Sequence, residues 1–165
     1  MSQVNLNQTL YASAKDKTIL ITGAARGIGA ATAKLLNAKG ANVVLADLSQ
    51  FRTEAEEVIN TQLAYPDRAA FFPANIVNWA ELTGCFETTI ARFGGLDIVV
   101  ANAGIMESRP VFDLEDVDEH GRLNEAVEGA RVIDVNLKGT LNSMVFSTFL
   151  LICSIEDLSH FNTNA

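Results

Sequence analysis

A doubly wound parallel α/β sheet is the fold class this sequence predicts, and three observations point to it. Short β-branched apolar runs alternate with stretches of helical apolar spacing. The runs are apolar at nearly every position, as strands covered by helices on both faces require. A glycine-rich turn, Thr22-Gly23-Ala24-Ala25-Arg26-Gly27-Ile28-Gly29, joins the first run to the first helix.

Thr18 to Thr22 reads as the first strand, and Ile28 to Leu36 as a helix stopped by Lys39-Gly40. The cycle then repeats. Asn42 to Ala46 is a second strand ending at Asp47, Glu54 to Leu63 a second helix, and Tyr65-Pro66-Asp67 a break before the strand Ala69 to Pro73. Trp79 to Phe93 follows as a helix, with Asn78 as N-cap and Gly94-Gly95 past its end. Leu96 to Ala101 is the fourth strand. Right-handed crossovers arrange these strands in the order 3-2-1-4, with ligands expected at their carboxyl ends.

From Gly104 to Ala126 periodicity fails, and Asp113, Glu115, Asp116, Asp118, Glu119 and His120 accumulate. Carboxylates with an imidazole suit a hard metal ion. The spacing matches no EF-hand, however, and a solvated loop near the mouth of a site is the preferred reading, with no metal expected. Val127 to about Phe149 reads as one long helix. The expected organisation is a polar extension over 1–16, one domain over 17–150 and a tail over 151–165.

The 165 residues carry twelve basic and twenty acidic side chains, a net charge of −8, with 48% hydrophobic content. This balance repels phosphate backbones and anionic membranes, so neither nucleic acid nor membrane is an expected partner. Met1 to Asp16 lacks an apolar signal core, and Met144 to Cys153 is too short to span a bilayer, so a cytoplasmic setting is expected. Cys85 and Cys153 form no CxxC pair and suggest neither a disulfide framework nor zinc.

The glycine turn carries the chemistry. Glycines at 23, 27 and 29 permit a tight turn, close ligand approach and helix-on-strand packing, while N–H groups at the helix start suit a pyrophosphate. A bare strand-to-helix turn is the competing reading; strand before, helix after and Asp47 ending the next strand argue against it.

Residues 17 to about 142 resemble the short-chain dehydrogenase/reductase family, whose Rossmann-type fold binds NAD(P). Thr22 to Gly29 is similar to its TGxxxGxG turn, Asn102-Ala103-Gly104 to its NAG element, and Asp134-Val135-Asn136 to the helix bearing its active-site Asn. Ala101 stands where the family usually has a further Asn. Locally, Val127 to Leu141 is most similar to fungal members akin to 15-hydroxyprostaglandin dehydrogenase. The resemblance implies cofactor contacts from Gly23, Arg26, Gly27, Ile28, Gly29, Asp47, Leu48, Asn75, Ile76, Asn102, Ala103 and Gly104. It implies a catalytic role for Asn136, which in the family holds a kinked helix and orders a water.

Physical readings accompany these implications. Asp47 would accept hydrogen bonds from the adenosine ribose hydroxyls and repel a 2′-phosphate, favouring NAD over NADP. A turn or N-cap carboxylate is its alternative. Arg26 argues for NADP, because family members using it often place a basic residue there. Asn75-Ile76 stands where the family more often has Asp-Val facing the adenine; Asn keeps a carbonyl acceptor, and plain turn chemistry competes. Asn102-Ala103-Gly104 leaves little bulk where a cofactor would cross the sheet edge, although a strand-ending turn explains the same residues. Asn136 is a poor helix former in mid-helix, which points to a specific bond, to a water or to backbone.

The family's chemistry needs a Tyr as general acid/base, a Lys four residues later, and a carbonyl-binding Ser. The chain has two tyrosines, Tyr11 and Tyr65, and neither follows the fourth strand. Tyr11-Ala12-Ser13-Ala14-Lys15 spells YxxxK but precedes the first strand, and Ser154 comes too soon after Asn136 for a helix, turn and strand. The text after Phe149 has no family counterpart, as expected of a truncated gene product or altered splice; a full-length transcript continuing normally after Thr140 would support this. The fourth strand is then an expected apolar edge, and the 127–149 helix, a dimer face in the family, an expected site of homo-oligomer contact.

Three readings follow. The chain is an NAD-dependent dehydrogenase acting on a secondary alcohol or ketone, a nucleotide-binding fragment without turnover, or an interaction-only product.

Overall fold

The computed structural model describes residues 13–155, with no side-chain description at 151 and 153–155. Tyr11, the side chains of Cys153 and Ser154, and the ends of the expected extension and tail lie outside it.

Strands β1 (Thr18–Thr22), β2 (Asn42–Asp47), β3 (Ala69–Pro73) and β4 (Ile98–Val100) form one parallel sheet in the order β3-β2-β1-β4. Helix α1 (Gly27–Asn37) links β1 to β2, α2 (Arg52–Gln62) links β2 to β3, and α3 (Trp79–Phe93) links β3 to β4. The expected order and class are therefore observed. Alternation along the central strands explains the layering. Ile19, Ile21, Val43 and Leu45 point to one side and pack with Ala30 and Ala33 of α1 and Ala55, Val58 and Ile59 of α2. Leu20 and Val44 point to the other, against Leu82, Cys85 and Phe86 of α3. All six of these strand side chains are fully buried, each stabilising the fold by about 1.5–3 kcal/mol relative to exposure. The Cys85 thiol is in this layer, where burial pushes its pKa up to about 12.

Punctuation follows local chemistry. Gly40 takes φ +87° after α1, and Gly94, with φ +80°, ends α3 by donating to the Ile90 carbonyl. Asn78 caps α3, its Oδ1 accepting from the Glu81 N–H while its amide donates to the Glu81 carboxylate. Near the β3 entry, buried Asn37 bonds both backbone groups of Tyr65, donating to its carbonyl and accepting from its N–H.

Several boundaries differ from expectation. Strand β4 covers only Ile98–Val100: at its start Asp97 still donates its N–H to the Thr18 carbonyl, but the Thr18 N–H goes to the Asp97 carboxylate, which also meets the Lys17 ammonium. Helix α2 begins at Arg52, after a 3₁₀ turn over Ser49–Phe51. The expected extension already belongs to the fold at residue 14: Ala14 is buried, and Asp16 donates its N–H to Gly40 and pairs with Arg68.

The expected single helix over 127–149 is three pieces: α4 (Val127–Ile133), a π-helical segment (Asp134–Gly139) and α5 (Thr140–Ile155). Helix α5 thus runs past the expected boundary at 150. Phe146 anchors it, meeting Phe86 and Trp79 edge-on at centroid distances of 5.2 and 5.6 Å. Its other side is bare: Leu141 and Val145 continue an exposed apolar stripe from Ile133 and Leu137. Among the described residues β4 is an edge, and Ile98 is 42% exposed. No helix among them is long and apolar enough to cross a membrane.

Candidate functional site

The turn between β1 and α1 divides its three glycines by task. A Cβ on Gly23, which has φ +66°, would lie 2.7 Å from the Ala103 Cα, and one on Gly29 would run into the Gly23 carbonyl oxygen. These two let the turn and the β4 exit touch. Gly27, with φ +59°, faces open space, so its freedom serves the backbone bend and whatever approaches it. Arg26 is the N-cap of α1 and makes no side-chain cap, which leaves the N–H groups of the first helical turn without that partner. Uncapped donors at the positive end of an eleven-residue helix suit an anion.

Asn102 ties the turn to the sheet. Its amide donates to the Thr22 and Gly23 carbonyls at 2.9 and 3.2 Å, while the Thr22 hydroxyl accepts from the N–H groups of Asn102 and Ala103. Asp47 does the same from β2, accepting from the Ala25 N–H at 3.0 Å and from the Leu48 N–H at 2.8 Å. The turn-carboxylate role is therefore filled. Each carboxylate oxygen retains acceptor capacity for a further donor.

Asn75 spends its carbonyl on the Val77 N–H, the turn chemistry that competed with adenine contact in the sequence. Asn136 sits within the π segment, where its side chain accepts from the Ile105 N–H at 2.8 Å and donates to the Ile105 carbonyl at 2.9 Å. Its specific bond is thus to backbone, pinning the chain as it leaves β4. Gly139, one turn on, has no room for a Cβ against the Ile76 side chain. Both contacts come from the one π segment.

One cleft of about 450 Å³ lies at the carboxyl ends of the strands; Asn136, expected to be catalytic, does not line it, although its neighbour Val135 and its partner Ile105 do. Every expected cofactor residue lines it except Gly29, whose place is in the packing beneath. Phe51, Ala74, Ile105 and Val135 also line it and were not anticipated. Ala74, Ile105 and Val135 each adjoin an anticipated residue, so widening the motifs by one position would have found them. Phe51 had no such signal, because a 3₁₀ turn brings it in. The Arg26 guanidinium lies 3.9 Å from the centre of the Phe51 ring.

Beyond Ile105 the acidic loop is held by its own charges. Asp116 takes Arg109 and Asn124, and Asp118 takes Arg122 and the His120 N–H. At its base the Glu128 carboxylate accepts from the Arg131 guanidinium and from the N–H and hydroxyl of Ser108. The arginine bond first, then the Ser108 N–H, draw the Glu128 pKa from 4.5 down to about 2. A depressed carboxylate stabilises fully above its unfolded value, and the contribution is lost as pH falls toward the folded one. Hydrogen exchange at Ser108 is therefore expected to quicken between about pH 5 and pH 2, beyond the intrinsic pH trend, and Glu128→Gln to remove that extra dependence.

Comparison with known proteins agrees with this geometry. A family model described as short chain dehydrogenase matches residues 17–151. The short-chain dehydrogenase/reductase prx4 of Penicillium roqueforti is 36% identical over 141 residues, which cover 86% of this chain and 38% of that protein. Trans-4-hydroxycyclohexanecarboxylate dehydrogenase of Sinomonas cyclohexanicum is 38% identical over 134 residues, covering 78% and 48%. Among solved structures, 3-ketoacyl-(acyl-carrier-protein) reductase from Brucella melitensis, complexed with NADH, superposes with a TM-score of 0.63 at 31% identity, over 79% of this chain and 48% of that one. The chain spans less than half the length of these three proteins. With the glycine turn, the strand order and the match over 17–151 in agreement, the chain belongs to the short-chain dehydrogenase/reductase family.

Proposed function

We propose that this chain binds a nicotinamide dinucleotide, NAD in preference to NADP, and does not by itself turn over a substrate. The cleft carries the reading: the uncapped start of α1, the Asp47 carboxylate and the Asn102–Gly104 exit line one space of about 450 Å³. Gly23, Gly27 and the α1 N–H groups would take the pyrophosphate, Asp47 and Leu48 the adenosine ribose, and Asn75 and Ile76 the adenine. A bound nicotinamide supplies hydride exchange. This chain's share is binding and orientation, with Asn136 holding Ile105 at the cleft wall.

The second reading, hydride transfer with a secondary alcohol or ketone, rests on relatives whose names specify a ring hydroxyl and a keto group. The 127–141 text supports fungal members akin to 15-hydroxyprostaglandin dehydrogenase within that class. No tyrosine follows β4 in these 165 residues to serve as the acid/base, which favours binding without turnover. The exposed stripe from Ile133 to Val145 is the surface on which a second copy would pack, and sedimentation of the purified chain tests it.

Calorimetric titration with NADH and NADPH, beside an assay on a panel of secondary alcohols, separates these readings. Saturable NADH binding without turnover is expected; turnover would overturn the first reading. Asp47→Asn keeps the shape and loses the charge. NADH affinity is expected to fall about tenfold, with NADPH less affected, since a charged hydrogen bond of about 1.5–3 kcal/mol gives way to a neutral one of about 0.5–1.5 kcal/mol. An unchanged preference would remove Asp47 from this role.

A further inference from the structure

Arg26 and Asp47 make opposite demands on a dinucleotide, and Phe51 lines the same cleft as both. The backbone joins the two closely, since the N–H of Ala25, the residue before Arg26, donates to the Asp47 carboxylate at 3.0 Å. Both side chains line the same cleft. Among the described residues, however, Arg26 makes no ion pair, with Asp47 or with any other carboxylate. Its guanidinium lies instead over the Phe51 ring, 3.9 Å from the centroid. That ring is a firm platform, because Phe51 is half-buried and packs on the core layer beneath α1 and α2.

We infer that Phe51 is a positioning residue for cofactor choice: it holds Arg26 away from Asp47, so that the carboxylate stays uncompensated and rejects a 2′-phosphate. The inference rests on the dinucleotide reading of the cleft. Released from the ring, the guanidinium would gain two alternatives, and both act in one direction. It could pair with Asp47 and cancel the charge that repels the phosphate. It could also meet the phosphate with its planar fork of donors, the geometry in which arginine binds phosphate most strongly. The stack competes with both. At an exposed site its strength corresponds to about a two- to fivefold change in an equilibrium constant.

Calorimetric titration of the full chain with NADH and with NADPH tests this through the ratio of their dissociation constants. Phe51→Leu keeps apolar bulk on the core but removes the π face, and is expected to improve NADPH relative to NADH by about two- to fivefold. Phe51→Tyr restores the face and is expected to hold the wild-type ratio. In an Arg26→Ala background Phe51→Leu is expected to leave the ratio alone, because the cation it positions is gone. An unmoved ratio in Phe51→Leu, a shift toward NADH, or the same shift without Arg26 would overturn the inference while leaving the dinucleotide site standing. Failure of the wild-type chain to bind either nucleotide would overturn the dinucleotide reading, and this inference with it.

Discussion

Gly29→Ala is expected to lower stability by about 3 kcal/mol, the upper range for forcing atoms into a packed interior. For a chain of this size that corresponds to a Tm lower by roughly 6–12 °C. The added methyl would run into the Gly23 carbonyl oxygen and lie 2.8 Å from both the Ala24 Cα and the Asn102 amide nitrogen. All three belong to one hydrogen-bonded assembly, since Asn102 donates to Thr22 and Gly23 and the turn is fastened to β2 through Asp47. Two of the three are backbone atoms, and the Asn102 amide is held by its bonds to Thr22 and Gly23. Gly27→Ala, two residues earlier, is the control: its methyl meets nothing within 4 Å but the residue must hold φ +59°. Its cost is the left-handed strain alone, about 1–2 kcal/mol. Thermal melts of the two variants check the difference, and a Gly29→Ala protein melting with wild type would show that the turn is looser than its contacts imply.

Asn136→Ala is expected to free the chain after β4. The variant removes both bonds to Ile105, at about 1 kcal/mol each and less where water replaces them, for a total of about 1–2 kcal/mol. The larger effect is local. Ile105 opens the long irregular stretch between β4 and α4, which the Glu128–Ser108 contact holds at a second point. Hydrogen exchange at the Ile105 amide is expected to rise about five- to thirtyfold, the factor that 1–2 kcal/mol represents if exchange follows local opening. Amides in β1 and β2 should be unaffected, because their pairing does not involve this bond. Uniform acceleration across the sheet would mean that Asn136 supports the whole fold and not this segment.

Much of the fold was legible because parallel sheets write themselves plainly. Runs such as Thr18 to Thr22 and Asn42 to Asp47 are buried on both faces since helices cover both, and the glycine turn and Asp47 lie together at their carboxyl ends, beside one cleft. Asn78 and Gly94 mark the ends of α3 through short-range bonds that residue type alone implies. The cleft was legible by the same logic, since Gly23, Asp47 and Asn102 all lie at strand ends.

What escaped the sequence depends on partners distant along the chain. The break of the 127–149 helix includes a π segment that holds both Asn136, bonded to Ile105, and Gly139, packed on Ile76, and periodicity within the helix contains neither contact. The separation of the glycines into packing and bending roles appears only when a Cβ is placed against Ala103 and the Gly23 carbonyl. Phe51 enters the cleft because a 3₁₀ turn carries it there, and Arg26 takes its ring in place of a carboxylate. Residue type and local spacing thus determined the sheet, its order and the glycine turn, because strands apolar on both faces imply a covered parallel sheet and right-handed crossovers then restrict its order. Which atoms the cleft residues bond, where Arg26 rests and how Asn136 is used were decided by tertiary structure, because each depends on a neighbour brought close by the folding of the sheet.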